Sequence, residues 1–332
     1  MRKIAFLAAA AAAVCTVACN KEVPTEKVEM PTQAVETAQL RLSIKGSAPE
    51  TKAWEEDFDE KHSAVASVQF FVFDGETLDA YKKITGGLSA DMTVKTGTKT
   101  VWAVVNAPDI SNVTTLTQLK AVNTTLMDNA TNFVMVGSVS AVVPSDDPIE
   151  IAVKRIVSRV VVKKVTAAFT NPAYASMDCK LEKMYLINIA ANTNLALTAA
   201  PTDWYCKRVE GAVAGLANHI GTSIGRSIKM DAYTIASTHY AYPNPTVEDS
   251  QATTWSARHT RIVLEVTLGS ERFYYPITLP VLEPGKSYEI ENVTITRKGS
   301  TSPDQPVSLS DATFEIKVSD WTVVPVTDGI TI

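Results

Sequence analysis

The stretch AQLRLSIKG, residues 38–46, decides the fold, because its apolar and polar residues alternate without interruption. Leu40, Leu42 and Ile44 fall on one side of an extended chain, and polar residues such as Arg41 fall on the other. An alternation of period two predicts a β-strand with one buried face. The sequence therefore predicts that this segment belongs to a sheet that covers a core.

Strand patterns bounded by Gly, Pro, Asn or Asp recur along the chain. In the first half they are SVQFFVFD (67–74), KTVWAVVNA (99–107), NFVMVGSVSAVV (132–143) and PIEIAVK (148–154). After about residue 153 they are RIVSRVVVKKVTAAF (155–169), KMYLINIAAN (183–192), RIVLEVTLG (261–269), RFYYPITLP (272–280), SYEIENVTITR (287–297) and ATFEIKVSDW (312–321). Short strands in this number favour an all-β fold of β-sandwiches, with domains at 38–152 and 153–332.

One helix interrupts the strands of the first half. TTLTQLKAVNTTLMDN (114–129) places Leu116, Leu119, Val122 and Leu126 at helical spacing. Thr114 or Thr115 is the expected N-cap, because a threonine hydroxyl can accept a hydrogen bond from the first turn.

The N-terminus predicts export. Arg2 and Lys3 precede a short apolar run, which is the pattern of a signal peptide over residues 1–18. The run closes on small residues before Cys19, which resembles a lipoprotein lipobox with Cys19 as the lipidated residue. Ordinary secretion with cleavage after Ala18 is the alternative. Residues 19–37 are rich in Glu, Pro, Thr and Lys and predict a flexible tether.

Composition and motifs argue against several functions. The net charge of -5 gives no basic field, so nucleic acid is not an expected partner. GTSIG at 221–225 fits G-x-S-x-G around Ser223, with His219 nearby, but its flanks lack the strand and helix of a nucleophile elbow. The acidic run 55–61 lacks the spacing of a calcium loop, and the four histidines show no metal-ligand spacing. No enzyme activity, metal or cofactor is predicted.

Two further groups of residues leave alternatives open. Cys179 and Cys206 lie beyond the lipid site, and they are either a disulfide or two buried thiols. Four tyrosines could form a sugar-binding platform, although tyrosines in strands more often pack in the core: Tyr240, Tyr242, Tyr274 and Tyr275.

The C-terminal tail also carries a strand pattern. In SDWTVVPVTDGITI (319–332) one side of an extended chain would present four apolar residues: Val324, Val326, Ile330 and Ile332. Pro325 lacks an N–H and would interrupt a hydrogen-bond ladder on one side. Such a tail completes either its own domain or the sheet of another molecule.

The order of these features resembles the Bacteroidetes fimbrillins, the major subunits of type V pili. The resemblance is carried by the lipobox cysteine before NKE, VASVQFFVFDGETLDA, TKTVWAVVNAP, TLTQLKAV, VKRIVSRVVVKKV and FEIKVSDWTVVP, whereas residues 166–260 carry no motif that aligns. It implies two transthyretin-like β-sandwich domains, export to the outer membrane as a lipoprotein, and a fimbrium on the cell surface that mediates adhesion. It also implies that a trypsin-like protease cuts after the first strand and that the tail of a neighbouring subunit replaces that strand. The expected partners are other pilin subunits, including anchor and tip subunits, and the protease.

The residues indicate where the cut would fall. Arg41 lies inside the predicted strand, whereas Lys52 follows a Gly and a Pro and precedes an acidic stretch. We therefore predict cleavage between Lys52 and Ala53. A strictly Arg-specific protease would not process this chain.

Two other functions compete with a pilus subunit. One is a surface lipoprotein that does not polymerise and acts as a pilus anchor or as a binding module for glycan or host protein. The other, more remote, is a hydrolase that uses Ser223.

Overall fold

The computed structural model describes residues 36–46, 64–209, 212–214, 222–229, 237–249, 256–305, 312–320 and 326–327. Strands dominate the described chain. Those of the first half are β1 Thr37–Gly46, β2 Ala64–Val65, β3 Ser67–Asp74, β4 Thr77–Thr85, β5 Ser89–Lys95, β6 Gly97–Val105, β7 Asn123–Thr125, β8 Met135–Val143 and β9 Ile149–Arg155. No described helix is long and apolar enough to cross a membrane.

The strands of the second half are mostly short. They are β10 Ser158–Val162, β11 Val165–Ala167, β12 Cys179–Ile187, β13 Ile189–Ala190, β14 Asn192–Asn194, β15 Trp204–Tyr205, β16 Lys207–Val209, β17 Ala212–Ala214, β18 Thr222–Ser227, β19 Ser237–Ala241, β20 Arg261–Leu268, β21 Glu271–Thr278, β22 Lys286–Ile290, β23 Val293–Ile295, β24 Ala312–Thr313, β25 Ile316–Asp320 and β26 Val326–Thr327.

The helical elements are short. Helix α1 covers Leu116–Ala121, and Thr115 is its N-cap, with a reciprocal bond from Gln118 that completes a capping box. The chain then leaves the helix for β7, and Leu126 belongs to a separate 3-10 helix, Leu126–Asn129. The predicted helix is therefore confirmed at its start and is shorter than its apolar spacing indicated. A second short helix, α2, covers Pro172–Ala175.

The first half of the described chain builds a seven-stranded sheet in the order β4-β3-β6-β8-β9-β1-β5. The sheet folds over through β9, whose first residues pair with β1 and whose last two pair with β8. The inner faces of the two layers form one apolar core, in which Leu42 and Val72 are fully buried. This double layer explains the strict alternation in β1 and β5, because only one face of each is buried.

The central strands of this sheet are buried on both faces. Val68, Phe70 and Val72 of β3 face the sandwich core, while Phe71 and Phe73 face a second core. This arrangement explains the continuous apolar run SVQFFVFD, since a strand covered on both sides has no polar face. The second core also contains residues from α1 and from the C-terminal half.

Strands of the second half enclose that second core. The described sheets there include β18-β12-β20-β21 and β19-β10-β22-β25, with a smaller sheet β11-β23-β24. Tyr275, Ile290 and Leu264 are among the buried side chains between them. The all-β fold class is thus confirmed. The predicted boundary near residue 152 lies within β9, and the division into two domains stays a prediction.

The two halves are also joined by buried hydrogen bonds. The Tyr242 hydroxyl donates to the carbonyl of Thr125 at 2.8 Å and accepts a bond from Asn129 Nδ2 at 2.9 Å. Strand β14 pairs with β7 beside this contact. The C-terminal half is therefore held to the N-terminal half by polar as well as apolar contacts.

Candidate functional site

Strand β1 lies between two other strands of the sandwich. It runs antiparallel to β5, with Leu40 opposite Met92, and parallel to β9, with Ile44 opposite Ile151. Because β1 is hydrogen-bonded on both sides, its removal would leave a groove between β5 and β9. The prediction that β1 is a half-buried sheet strand is confirmed.

The inner face of β1 fills an apolar groove. Leu40 is 1% exposed, Leu42 is 0% exposed and Ile44 is 6% exposed. The opposite layer is apolar where it faces them, since it presents Val68, Phe70 and Val72 of β3 and Val101, Ala103 and Val105 of β6. The groove therefore suits any strand that carries apolar residues at alternate positions.

The outer face of β1 is connected to its neighbours by polar side chains. Gln39 Nε2 donates to Thr93 Oγ1 at 2.8 Å, and Arg41 Nε donates to Asp91 Oδ1 at 3.0 Å, which ties β1 to β5. Lys45 Nζ donates to Glu150 Oε2 at 2.9 Å on β9. The two pairs with β5 match its register with β1, whereas Lys45 reaches diagonally to Glu150, which stands opposite Ser43. All three pairs are solvent-exposed, so they contribute little to stability.

The residues predicted for processing and donation lie mostly outside the described residues. This applies to Cys19, to Lys52 and Ala53, and to Val324, Ile330 and Ile332 of the tail. The predicted cleavage bond belongs to the segment 47–63, which connects β1 to β2. These roles stay predictions.

One tail residue of the predicted donor set is described. Val326 lies in β26, which pairs in parallel with β2, so that Val326 stands opposite Ala64 of the same chain. Strand β2 begins directly after the segment that follows β1. The tail thus reaches the N-terminal half of its own molecule.

Ser223, the residue considered for nucleophilic catalysis, lies in a strand. Ser223 belongs to β18 and pairs with Lys183 of β12, so this serine lies within a strand and not at a turn between a strand and a helix. His219 lies outside the described residues. Within the described ranges, no three His, Cys, Asp or Glu side chains are grouped to hold a metal ion.

The candidate tyrosines and cysteines are buried or partly buried. Tyr242 is 0% exposed and Tyr275 is 1% exposed, so these two do not belong to an exposed sugar-binding platform. Tyr240 and Tyr274 are partly buried and pack against the same core. Cys179 and Cys206 are both buried thiols and are not joined in a disulfide. Burial, with a smaller contribution from the charge of Asp178, raises the pKa of Cys179 to about 12.

Strand β5, one wall of the groove, was missed by the strand predictions made from the sequence. SADMTVK (89–95) buries Ala90, Met92 and Val94 and exposes the residues between them. The alternation is present in the sequence, but only three of the seven residues are apolar, so the segment does not stand out as a strand. Strand β4 was missed for a similar reason, because most of its residues are only partly buried or exposed.

No family model matches the chain, and no curated protein matches it in sequence. Solved structures match most of it. A fimbrilin (fimA) from Porphyromonas gingivalis W83 matches with a TM-score of 0.63 and 15% identity, over 88% of this chain and 100% of the other. The tip fimbrial protein Mfa3 from Porphyromonas gingivalis, with a C-terminal truncation, matches with a TM-score of 0.54 and 13% identity, over 86% and 100% of the two chains.

A candidate cell adhesion protein from Bacteroides eggerthii DSM 20697 matches with a TM-score of 0.66 and 19% identity, over 88% of this chain and 98% of the other. At these identities the matches establish the architecture. The described chain therefore has the same fold as these fimbrial and cell adhesion proteins.

Proposed function

We propose that the chain is a structural subunit of a surface fimbria that polymerises by strand exchange and mediates adhesion. It is exported as an outer-membrane lipoprotein through Cys19 and is cut by a trypsin-like protease between Lys52 and Ala53. The tail of another copy then replaces β1. The observation that carries the proposal is that β1 fills an apolar groove between two strands and joins the rest of the chain through one segment, residues 47–63.

The energetics of the exchange require a cut. Burial of Leu40, Leu42 and Ile44 contributes about 1.5 to 3 kcal/mol each, and the apolar tail residues would contribute similar amounts. An attached strand has an effective concentration on the order of millimolar, far above that of free subunits. While the chain is intact, an incoming tail is therefore at a disadvantage against the attached β1. Cleavage removes the advantage of attachment irreversibly.

Treatment of the purified full chain with trypsin tests this function. We expect one main product that starts at Ala53, and we expect it to form ladders that resist mild SDS. Lys52→Ala should remove the product that starts at Ala53. Lys52→Ala/Lys61→Ala, which removes both lysines of residues 47–63, should block every cut between β1 and β2 and the ladders, while Lys83→Ala, at a surface lysine of β4, should change neither. Truncation before Thr322 should leave the cut intact and abolish the ladders. A cut product that stays monomeric with its tail present would contradict polymerisation.

Lipidation is tested separately. Wild-type chain expressed in a lipoprotein-processing bacterium should partition with the membrane and gain the mass of a lipid, whereas Cys19→Ser should do neither. If the two chains have the same mass, apart from the substitution, and the same distribution between the membrane and soluble fractions, ordinary secretion is the correct alternative.

A second candidate function is a lipoprotein that does not polymerise and serves as an anchor or binding module. The pairing of Val326 with Ala64 of the same chain favours it, because a tail that remains on its own subunit donates nothing. The same trypsin experiment separates the two: a cut, tail-bearing monomer supports the second function. No catalytic role is proposed.

A further inference from the structure

We propose that polar contacts from β4 and β6 hold strand β5 in place when β1 leaves, so that the groove keeps the width of one strand for the incoming tail. This inference rests on the proposed strand exchange. It assigns a positioning role to Asp79, Lys82 and Lys99, none of which touches β1 in a described hydrogen bond.

Strand β5 depends on β1 for its backbone pairing. Among the described strands β5 pairs with β1 alone, and it forms the edge of the seven-stranded sheet. Once β1 is removed, β5 loses that ladder. Since β5 is antiparallel to β1 and β9 is parallel to β1, β5 and β9 have the orientation of an antiparallel pair. Without another restraint they can pair directly and close the groove.

A bulge in β4 supplies one restraint. Phe73 stands opposite Leu78 and Val72 stands opposite Ala80, so Asp79 is the extra residue of β4. Bulges redirect side chains, and here Asp79 Oδ2 accepts a hydrogen bond from the backbone N–H of Lys95 at 2.8 Å. Asp79 thereby holds the end of β5 against β4.

Lys99 fixes Asp79 from the other side. Its side chain is fully buried on the inner face of β6, and its Nζ lies 3.1 Å from Asp79 Oδ2 and 3.0 Å from Asp74 Oδ2. Burial alone would lower the pKa of Lys99, but the contacts with Asp74 and Asp79 outweigh it and raise the pKa. The charged amine therefore stays between the two carboxylates and keeps Asp79 directed at β5.

Lys82 supplies a restraint at the middle of β5. Its Nζ donates to the carbonyl oxygen of Asp91 at 2.9 Å, again from β4. The connections from β4 to β5 and from β5 to β6 are also short, at three residues and one residue. With neighbouring strands about 4.8 Å apart, the gap left between a held β5 and β9 is about 10 Å, which admits one strand.

The test uses the full chain with a site for a sequence-specific protease within residues 47–63. After the cut, a fluorescent peptide of residues 321–332 is titrated, and its anisotropy gives the affinity. We expect the double variant Lys82→Ala/Asp79→Ala to weaken peptide binding at least tenfold. Lys83→Ala is the matched control, because Lys83 is adjacent on β4 and pairs with Asp109, away from β5. It should bind as wild type does.

Hydrogen exchange separates positioning from general stability. The amides of β5 other than that of Lys95, which loses its own acceptor in Asp79→Ala, should exchange alike in the uncut wild-type and variant chains, and faster in the variant only after the cut. If the double variant does not fold uncut, Lys82→Ala alone should still weaken peptide binding about threefold. Equal affinity of wild-type and variant chains would overturn the positioning role while leaving strand exchange intact. Absence of binding to the cut wild-type chain would overturn strand exchange itself, and the positioning role with it.

Discussion

Arg41 Nε lies 3.0 Å from Asp91 Oδ1 on the outer face of the sandwich, and the two side chains are 65% and 63% exposed. The neighbouring side chains of β1, Leu40 and Leu42, point the other way and are buried. The strand is thus held by weak ion pairs outside and by apolar packing inside. The packing of the inner face therefore contributes most to holding β1 in the sheet. A strand that exchanges with β1 would have to replace that apolar packing.

Substitutions on the two faces of β1 should differ sharply in their effect. Leu42→Ala should lower the free energy of unfolding of the uncut chain by about 2 to 5 kcal/mol, since it removes packed atoms and leaves a cavity. Arg41→Ala should lower it by less than about 1 kcal/mol. Urea denaturation measures both. A larger loss for Arg41→Ala would mean that the outer pairs, and not the core, retain β1.

Gly137 is required by the close approach of β8 and β9. A Cβ at this position would lie 2.1 Å from the carbonyl oxygen of Ala152, which is backbone and cannot move aside cheaply. Gly137→Ala should therefore destabilise the chain by several kcal/mol, above the usual range of about 0.5 to 3 kcal/mol for single substitutions. Gly87→Ala is the control, because its Cβ would meet only Ile84 Cδ1 at 3.8 Å. Similar melting temperatures of the two variants would contradict this account.

Tyr242 should contribute to the coupling of the two halves. Tyr242→Phe removes the donor to Thr125 and leaves the buried Asn129 amide without this partner, so we expect a loss of about 1 to 3 kcal/mol. Burial raises the pKa of Tyr242, which keeps the phenol neutral and able to donate. Urea unfolding followed by fluorescence and by circular dichroism should show the loss. An unchanged midpoint would mean that this contact adds nothing to the packing around it.

Cys179 should be unreactive in the folded chain at pH 8. Its pKa is raised to about 12, chiefly by burial, so the thiolate that reacts with alkylating reagents is scarce. Iodoacetamide followed by mass spectrometry of the Cys179 peptide should show labelling in urea and none without it. Because the folded pKa lies above the unfolded value, this group's contribution to stability is complete below pH 9 and is lost as the pH rises towards 12. Rapid native labelling would contradict the buried position.

Asp328 should limit the affinity of the tail for the groove. It falls on the same side of an extended tail as Val326 and Ile330, whereas the layer facing β1 is apolar. A carboxylate placed there loses its hydration without gaining a partner. A peptide of residues 321–332 with Asp328→Val should therefore bind the cut chain at least tenfold more tightly than the natural peptide, by fluorescence anisotropy. Thr327→Val is the control, because residue 327 lies on the opposite side of the strand. Equal binding of the Asp328→Val and natural peptides would mean that the tail does not enter as one straight strand.

The sequence by itself determined those elements whose buried residues follow a simple pattern along the chain. Strand β1 was predicted from its alternation, β3 from its continuous apolar run, and the start of α1 from Thr115 and the leucines that follow. These patterns depend only on local geometry. Apolar residues recur every second position in a strand with one buried face, and every three to four positions in a helix with one buried face. The end of α1 was not predictable from spacing, because β7 pairs with β14, which lies about 70 residues further along the chain.

Tertiary structure alone decided which strands enclose the groove and how they are held. The pairing of β1 with both β5 and β9 is non-local, and no periodic signal encodes a partner strand. The same holds for Asp79, whose role depends on a bulge and on Lys99 and Lys95 reaching it from other strands. The sequence specified which faces are apolar because that depends on neighbours along the chain. The structure specified what those faces meet, because that depends on residues brought together only by folding.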